Sequence, residues 1–210
     1  MELILASNSA RRKQIFHLLF PSHCSVKPTC KELDAAEYNP DEIDFFTHQN
    51  AQIKTNCVFQ GHRGEDTIII ACDTAIATSN SIVGKPTDEA SAFSILSSLS
   101  GTSHMVVSSV VILRVLSHVA VRRIGFSERT KVTFSLLQEA EIRSYIATSQ
   151  PLDKAGAYGI QEVPSSFISS VDGSIWNVIG FPVETFCRVL LSLGVVCKEP
   201  LYEDYFINGG

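Results

Sequence analysis

Among its six cysteines the sequence has no C-x-x-C pair, and among its six histidines no H-x-x-x-H. A structural zinc site, which needs thiolates or imidazoles paired at short spacing, is therefore not expected. A long uncharged apolar segment is missing too. The longest apolar stretch, MVVSSVVILRVLSHVAV from Met105 to Val121, carries Arg114 and His118 and is rich in β-branched residues. Strands account for it better than a membrane span. The early basic cluster Arg11-Arg12-Lys13 follows the short run Leu3-Ile4-Leu5 instead of preceding a longer one, so no secretory signal is read. A cytoplasmic location is the expectation, with reduced thiols at Cys24, Cys30, Cys57, Cys72, Cys187 and Cys197. An excess of positive charge is also absent: a net charge of −5 argues against nucleic-acid binding by bulk charge, though not against a locally basic pocket.

What is present suffices for a packed core. The 210 residues are 45% apolar, with no internal repeat or low-complexity linker, and one domain over 1–210 is the economical reading. Glu2 to Ala6 reads as a strand and Ala10 to Leu19 as a helix ended by Pro21. In NPDEIDFF, Asn39 can cap a second helix, Pro40 suits its first position, and Asp41 and Glu42 complement its dipole; it should run to about Cys57. A buried strand in EDTIIIACDTAIA follows, then a turn, GKPTDEA, and a helix from about Asp88 to Leu99 stopped by Gly101. Ser103–Leu116 and Val119–Phe134 pair most simply as antiparallel strands. A helix at Glu139–Thr148, a loop at PLDKAGAYGIQ, a strand at Phe167–Val171, an Asp172-Gly173 turn and a helix from Val183 to Leu193 complete an α/β pattern with a mixed sheet.

Three places carry chemistry. Cations at Arg11, Arg12 and Lys13 sit where a helix N-terminus already presents positive charge, which costs roughly 0.3–1 kcal/mol each unless something anionic compensates. Strand, then Ser7-Asn8-Ser9, then helix lets hydroxyls and amides face an anion with Arg11 and Arg12 around it; a solvated cationic face is the alternative. Asp73 interrupts an otherwise apolar strand, where a carboxylate must be paired, hydrogen-bonded or metal-bound. Beside Thr74 it can activate water or hold Mg²⁺ near a phosphate, unless it merely faces solvent at a strand end. Lys85 in GKP lies on a rigid turn that lacks the glycine and hydroxyl of a P-loop, and such lysines are often only exposed turn residues. In PLDKAGAYGIQ, the Asp153–Lys154 pair, Tyr158 and Gln161 make either a base-reading loop or simply a structured one.

The strings LILASNSARR, ACDT, GKPTDEA, LSGTSH, EIRSYI, PLDKAGAYGIQ and GSIWNVIGFPVE occur in the order seen in the Maf family of septum-formation-type nucleotide pyrophosphatases, over nearly the whole chain. The resemblance implies a fold similar to the inosine-triphosphate pyrophosphatases: an elongated mixed sheet flanked by helices, two lobes around a cleft, and commonly a homodimer. It implies hydrolysis of nucleoside triphosphates to monophosphate and pyrophosphate with Mg²⁺ or another divalent cation such as Mn²⁺. The ACDT and GAYGIQ forms look like the branch acting on dTTP, UTP and related or modified pyrimidine nucleotides.

Carried over by position, Ser7, Arg11 and Arg12 match the phosphate-binding motif, with Ser9 beside them. Asp73, next to Thr74, matches the catalytic aspartate, Lys85 the phosphate-contacting lysine, and Gln161 falls in the base-side loop with Lys154. The acidic residue of the second strand is placed at Glu32, with Asp34 in reserve, so that Asp73 and Glu32 are the metal-side carboxylates. The family lysine of A-x-x-K-A is aligned with Asn50, with Lys54 one turn further on. That substitution opens an alternative reading, a nucleotide-binding regulator of cell division with weak or no hydrolysis.

Overall fold

The computed structural model describes residues 1–21, 24–27, 32–62, 64–148 and 151–197; Cys30 and the side chain of Cys24 lie outside them. Strand β1 (Glu2–Ala6) leads into helix α1 (Ala10–Leu19), then β2 (Cys24–Lys27), α2 (Ile43–Gly61), β3 (Asp66–Ala77), the short β4 (Ile82–Val83) and α3 (Glu89–Leu99). The hairpin of β5 (Ser103–Leu116) and β6 (Val119–Phe134) follows, then α4 (Glu139–Thr148), β7 (Ile168–Asp172), α5 (Ile175–Ile179) and α6 (Val183–Ser192). The strands form one seven-stranded mixed sheet in the order β2-β1-β3-β5-β6-β7, with β4 paired to β3. Pairing is parallel between β1 and both β2 and β3, and antiparallel elsewhere.

β3 is the spine of the sheet, and its period-2 alternation sorts residues between two covered faces. Ile68, Ile70 and Cys72 join Phe16 and Leu19 of α1 and Phe186 and Leu190 of α6 in one cluster. Ile69 and Ala71 face the opposite way, toward Val58 of α2. Ile68, Ile69 and Ile70 are fully buried, each contributing roughly 1.5–3 kcal/mol. Further along, Ile76 returns to the first face but packs in a second cluster with Leu96, Phe134, Ile142, Tyr145 and Phe167. The two clusters on that face are the cores of two lobes, and β3 crosses from one to the other at Cys72-Asp73-Thr74. The alternation that points Cys72 toward α1 points Asp73 toward α2.

The expected elements recur with shifts at their ends. α2 is preceded by a 3₁₀ turn at Pro40–Glu42, where the Asn39–Glu42 capping box forms, and it extends past Cys57 to Gly61. Strands β2 and β4 and the five-residue α5 escape the sequence reading because each is too short for a period to show. Gly101 takes a left-handed conformation after α3, as a helix stop requires.

Candidate active site

The loop from β1 into α1 is built by its own hydroxyls. Ser7 is buried, and its Oγ accepts from the backbone N–H of Ser9 at 3.1 Å. Ser9 caps α1 by accepting from the N–H of Arg12 at 3.4 Å. Arg12 is held at two points: its Nε donates to the Gly180 carbonyl at 2.9 Å and its Nη2 to Thr74 Oγ1 at 2.8 Å. Thr74 in turn meets Ser108 Oγ at 2.8 Å, so the guanidinium is fixed to the spine of the sheet. Arg11 and Lys85 line the same cavity with no hydrogen bond or ion pair to another described residue, whereas Lys13 is exposed.

The buried face of α2 repeats with helical period: Ile43, Phe46, Thr47, Asn50, Ala51, Lys54, Thr55 and Val58. Its two odd members, Asn50 and Lys54, are one turn apart and sit over Asp73. Lys54 Nζ lies 2.6 Å from Asp73 Oδ1 and 2.8 Å from Glu32 Oε1. Asn50 Nδ2 donates to Asp73 Oδ2 at 3.1 Å, while its Oδ1 accepts from the Leu33 N–H at 2.8 Å. Burial alone would raise the pKa of Glu32, but the Lys54 ammonium, helped by Lys85 and Arg12, outweighs it and holds the carboxyl below its ordinary value. Asp73, with only 5% of its surface exposed, thus has both oxygens engaged at a cavity of about 580 Å³. Cations of α1 and the GKP turn and the Glu32–Lys54–Asp73 triad line that one cavity.

The family model described as Maf-like protein matches residues 2–193. The chain belongs to the Maf-like protein family. Similar curated relatives include the dTTP/UTP pyrophosphatase of Clostridium beijerinckii, 37% identical over 87% of this chain and 94% of the relative. The dTTP/UTP pyrophosphatase of Carboxydothermus hydrogenoformans is 35% identical over 92% and 100%. Among solved structures, a dITP/XTP pyrophosphatase from Mycobacterium abscessus aligns over 92% of this chain and 97% of its own, with 13% identity and a TM-score of 0.42.

In this Maf-like chain Asn50, at the position expected for the family lysine, and Lys54, one turn further on, both reach Asp73. It is the Lys54 ammonium that lies between the carboxylates of Glu32 and Asp73. Asn50 instead ties Asp73 to the segment after Glu32. Of the two acidic candidates, Glu32 pairs with Lys54, whereas Asp34 caps the 3₁₀ turn Ala35–Glu37 through the Ala36 N–H.

Asp153, Lys154, Ala155, Tyr158 and Gly159 of PLDKAGAYGIQ line the same cavity. Lys154 is buried, with Nζ 2.6 Å from Asp153 Oδ1 and 2.9 Å from Glu162 Oε2. Gly156 takes φ of +72° there, and a side chain at Gly159 would press on the Lys154 methylenes. Tyr158 lines the cavity and meets buried His104 Nε2 through its hydroxyl at 2.7 Å; desolvation lowers the His104 pKa to about 4, keeping the ring neutral. Gln161 does not line the cavity, and its buried Oε1 has no hydrogen-bond partner among the described residues. Ser7, Ser9, Arg11, Arg12, Glu32, Asn50, Lys54, Asp73, Thr74, Lys85 and Lys154 are all brought to the one cavity, and Gln161 is not among its lining residues.

Two contributors escaped the sequence reading. The Gly180 carbonyl that holds Arg12 depends on a positive φ of 121°. Buried Asn177 donates to Val106 O, Glu128 O and Thr130 Oγ1, stitching β5, β6 and α5 behind the site. Neither shows a spacing signal; only the glycine before a proline-containing turn hinted at a special backbone. As for a metal, no group of three or more His, Cys, Asp or Glu side chains among the described residues is placed to hold one. Two carboxylates facing a cavity lined by cations nevertheless match the hard-oxygen donors of Mg²⁺, which commonly takes one or two carboxylates and completes its shell with phosphate and water.

Proposed function

We propose that this chain hydrolyses nucleoside triphosphates, with dTTP, UTP and related pyrimidine nucleotides preferred, to nucleoside monophosphate and pyrophosphate. The single observation that carries this reading is the facing of two charge sets across one cavity. Arg11, Arg12 and Lys85 make a seat for a polyanion, and Asp73 stands beside it with Lys54 and Asn50 on its two oxygens. The names of the relatives and the shared family support the substrate class.

In this mechanism the triphosphate lies across the N-terminus of α1, where free N–H groups and the arginines balance its charge. Asp73 orients a water molecule for in-line attack on the α-phosphorus and accepts its proton. The new oxygen–phosphorus bond forms as the α–β anhydride bond breaks, and pyrophosphate leaves against Arg11 and Lys85. Lys54 keeps Glu32 ionised and holds Asp73 aligned between turnovers. Glu32 and Asp73 would hold a divalent cation, which when bound supplies charge neutralisation and a lowered water pKa. Lys154 shapes the wall made by its loop, with Tyr158 as an apolar surface for the nucleoside.

The regulatory reading rested on a missing cation at position 50, and Lys54 supplies that cation. The sequence carries the expectations of one domain over 1–210 and a cytoplasmic location, and the family resemblance that of a homodimer; light scattering on the purified protein tests the dimer. No helix among the described residues is long and apolar enough to cross a membrane. A pyrophosphate-release screen with Mg²⁺ or Mn²⁺ against canonical and modified triphosphates tests the activity. Monophosphate and pyrophosphate from dTTP or UTP are expected. A folded protein that binds nucleotide and turns over none would overturn it.

A further inference from the structure

After α6 the chain reverses on itself. Val195 N–H donates to Leu190 O at 3.1 Å and Gly194 N–H to Leu191 O at 3.0 Å, the paired bonds of a Schellman stop, with Gly194 at φ of +74°. Val195 turns into the core under α1, Val196 turns out to solvent at 81% exposure, and Cys197 turns in again. This reversal lays Cys197 beside Cys187, which projects from the middle of α6. Their Sγ atoms are 3.0 Å apart, and both side chains pack on the cluster that holds Phe16 and Phe186. A bonded pair sits at about 2.05 Å, so closure needs only about 1 Å of movement.

We propose that Cys187 and Cys197 are a disulfide-forming pair, closed when the folded protein meets a low-molecular-weight disulfide. The exchange is balanced. One protein thiolate attacks the oxidant and releases one small thiol; the other then attacks that mixed disulfide, forming the Cys187–Cys197 bond and releasing the second small thiol. Two thiols are oxidised and one disulfide is reduced to two thiols. In a reducing compartment the pair stays a dithiol, consistent with the cysteine usage of the chain. The bond would fasten the segment after α6 to α6, and α6 supports α1 through Phe186 against Phe16, ring centroids 5.6 Å apart.

The other thiols provide internal controls. Cys72 is fully buried, and Cys57, half-buried on α2, has no sulfur neighbour among the described residues. Incubating the full chain with glutathione disulfide, followed by peptide mapping without reduction, is the test. A Cys187–Cys197 cross-linked peptide is expected, with Cys57 carrying glutathione and Cys72 unmodified. The oxidised protein should unfold roughly 5 °C or more above the reduced form, reversibly with dithiothreitol. Cys187→Ser and Cys197→Ser should each lose both the cross-link and the shift. Mapping that finds Cys187 and Cys197 as separate glutathione adducts, as free thiols, or joined to Cys24 or Cys30 would overturn the proposal, and the wild-type map decides even if a serine variant fails to fold. No nucleotide enters the experiment, so its outcome is independent of the catalytic reading.

Discussion

Among the described residues, two lysines are withdrawn from solvent between pairs of carboxylates, and both line the same cavity. Lys54 lies between Glu32 and Asp73, and Lys154 between Asp153 and Glu162. The partners of Lys154 belong to its own loop and reach solvent, Asp153 with 61% of its side chain exposed and Glu162 with 34%. Those of Lys54 come from distant parts of the chain, and Asp73 is sunk in the central strand with 8% of its side chain exposed. A pair made within one loop shapes that loop. A pair assembled across the fold, at the cost of burying a carboxylate in a strand of isoleucines, holds charge where a ligand can use it. On this account the Lys54 side performs the chemistry and the Lys154 side shapes the wall.

The sharpest way to break that contrast is to neutralise one carboxylate on each side. Asp73→Asn should keep the circular dichroism of the wild type and lower turnover by about 10³-fold or more, whereas Asp153→Asn should stay within about tenfold. An active, folded Asp73→Asn protein would remove Asp73 from its role. Next come the lysines. Lys54→Met should reduce kcat about 10²-fold, while Lys154→Met should act chiefly on KM and on thermal stability as the loop loosens. Equal kcat losses in steady-state kinetics would erase the distinction.

A smaller effect is expected at Asn50, which positions Asp73 and the Leu33 backbone. Asn50→Ala should lower kcat about tenfold, and Asn50→Lys should also lower it, since an ammonium cannot accept from the Leu33 N–H. A gain of turnover in Asn50→Lys would restore the regulatory reading. The smallest effect concerns acid stability. Because His104 titrates at about 4 when folded and near 6.5 when unfolded, the unfolded chain binds the extra proton first as pH falls. Stability should decline between pH 6.5 and about 4 and level below that, and His104→Gln should flatten the decline in urea titrations across this range. Glu32, held low when folded, contributes stability that is present above its ordinary pKa of 4.5 and lost only as pH falls through its lowered value.

How much of this was legible in the sequence follows from the same contrast. Long periodic elements announced themselves: the β5–β6 hairpin and α4 begin and end where their patterning places them, and Asn39 through Glu42 opened α2 as a capping motif. Asp73 stood out because an acid in an apolar strand needs a partner. The partner was harder to see. Glu32 follows residues without strong periodicity, whereas Lys54 was placed one turn beyond Asn50 on the same face, and the stripe Phe46, Asn50, Lys54, Val58 marks both polar residues as facing the sheet. Gln161 was placed at the base by its loop, and whether its side chain joins the cavity lining is something no spacing reveals. Local patterns disclose elements, whereas a carbonyl such as that of Gly180 gains its role only when the chain has closed.

Hydrolysis of dTTP in ¹⁸O-labelled water, with both products weighed by mass spectrometry, tests the central claim most directly. The account predicts one labelled oxygen in the monophosphate and none in the pyrophosphate, as delivery of water from Asp73 to the α-phosphorus requires. Label in the pyrophosphate, or release of labelled orthophosphate with a nucleoside diphosphate, would contradict it.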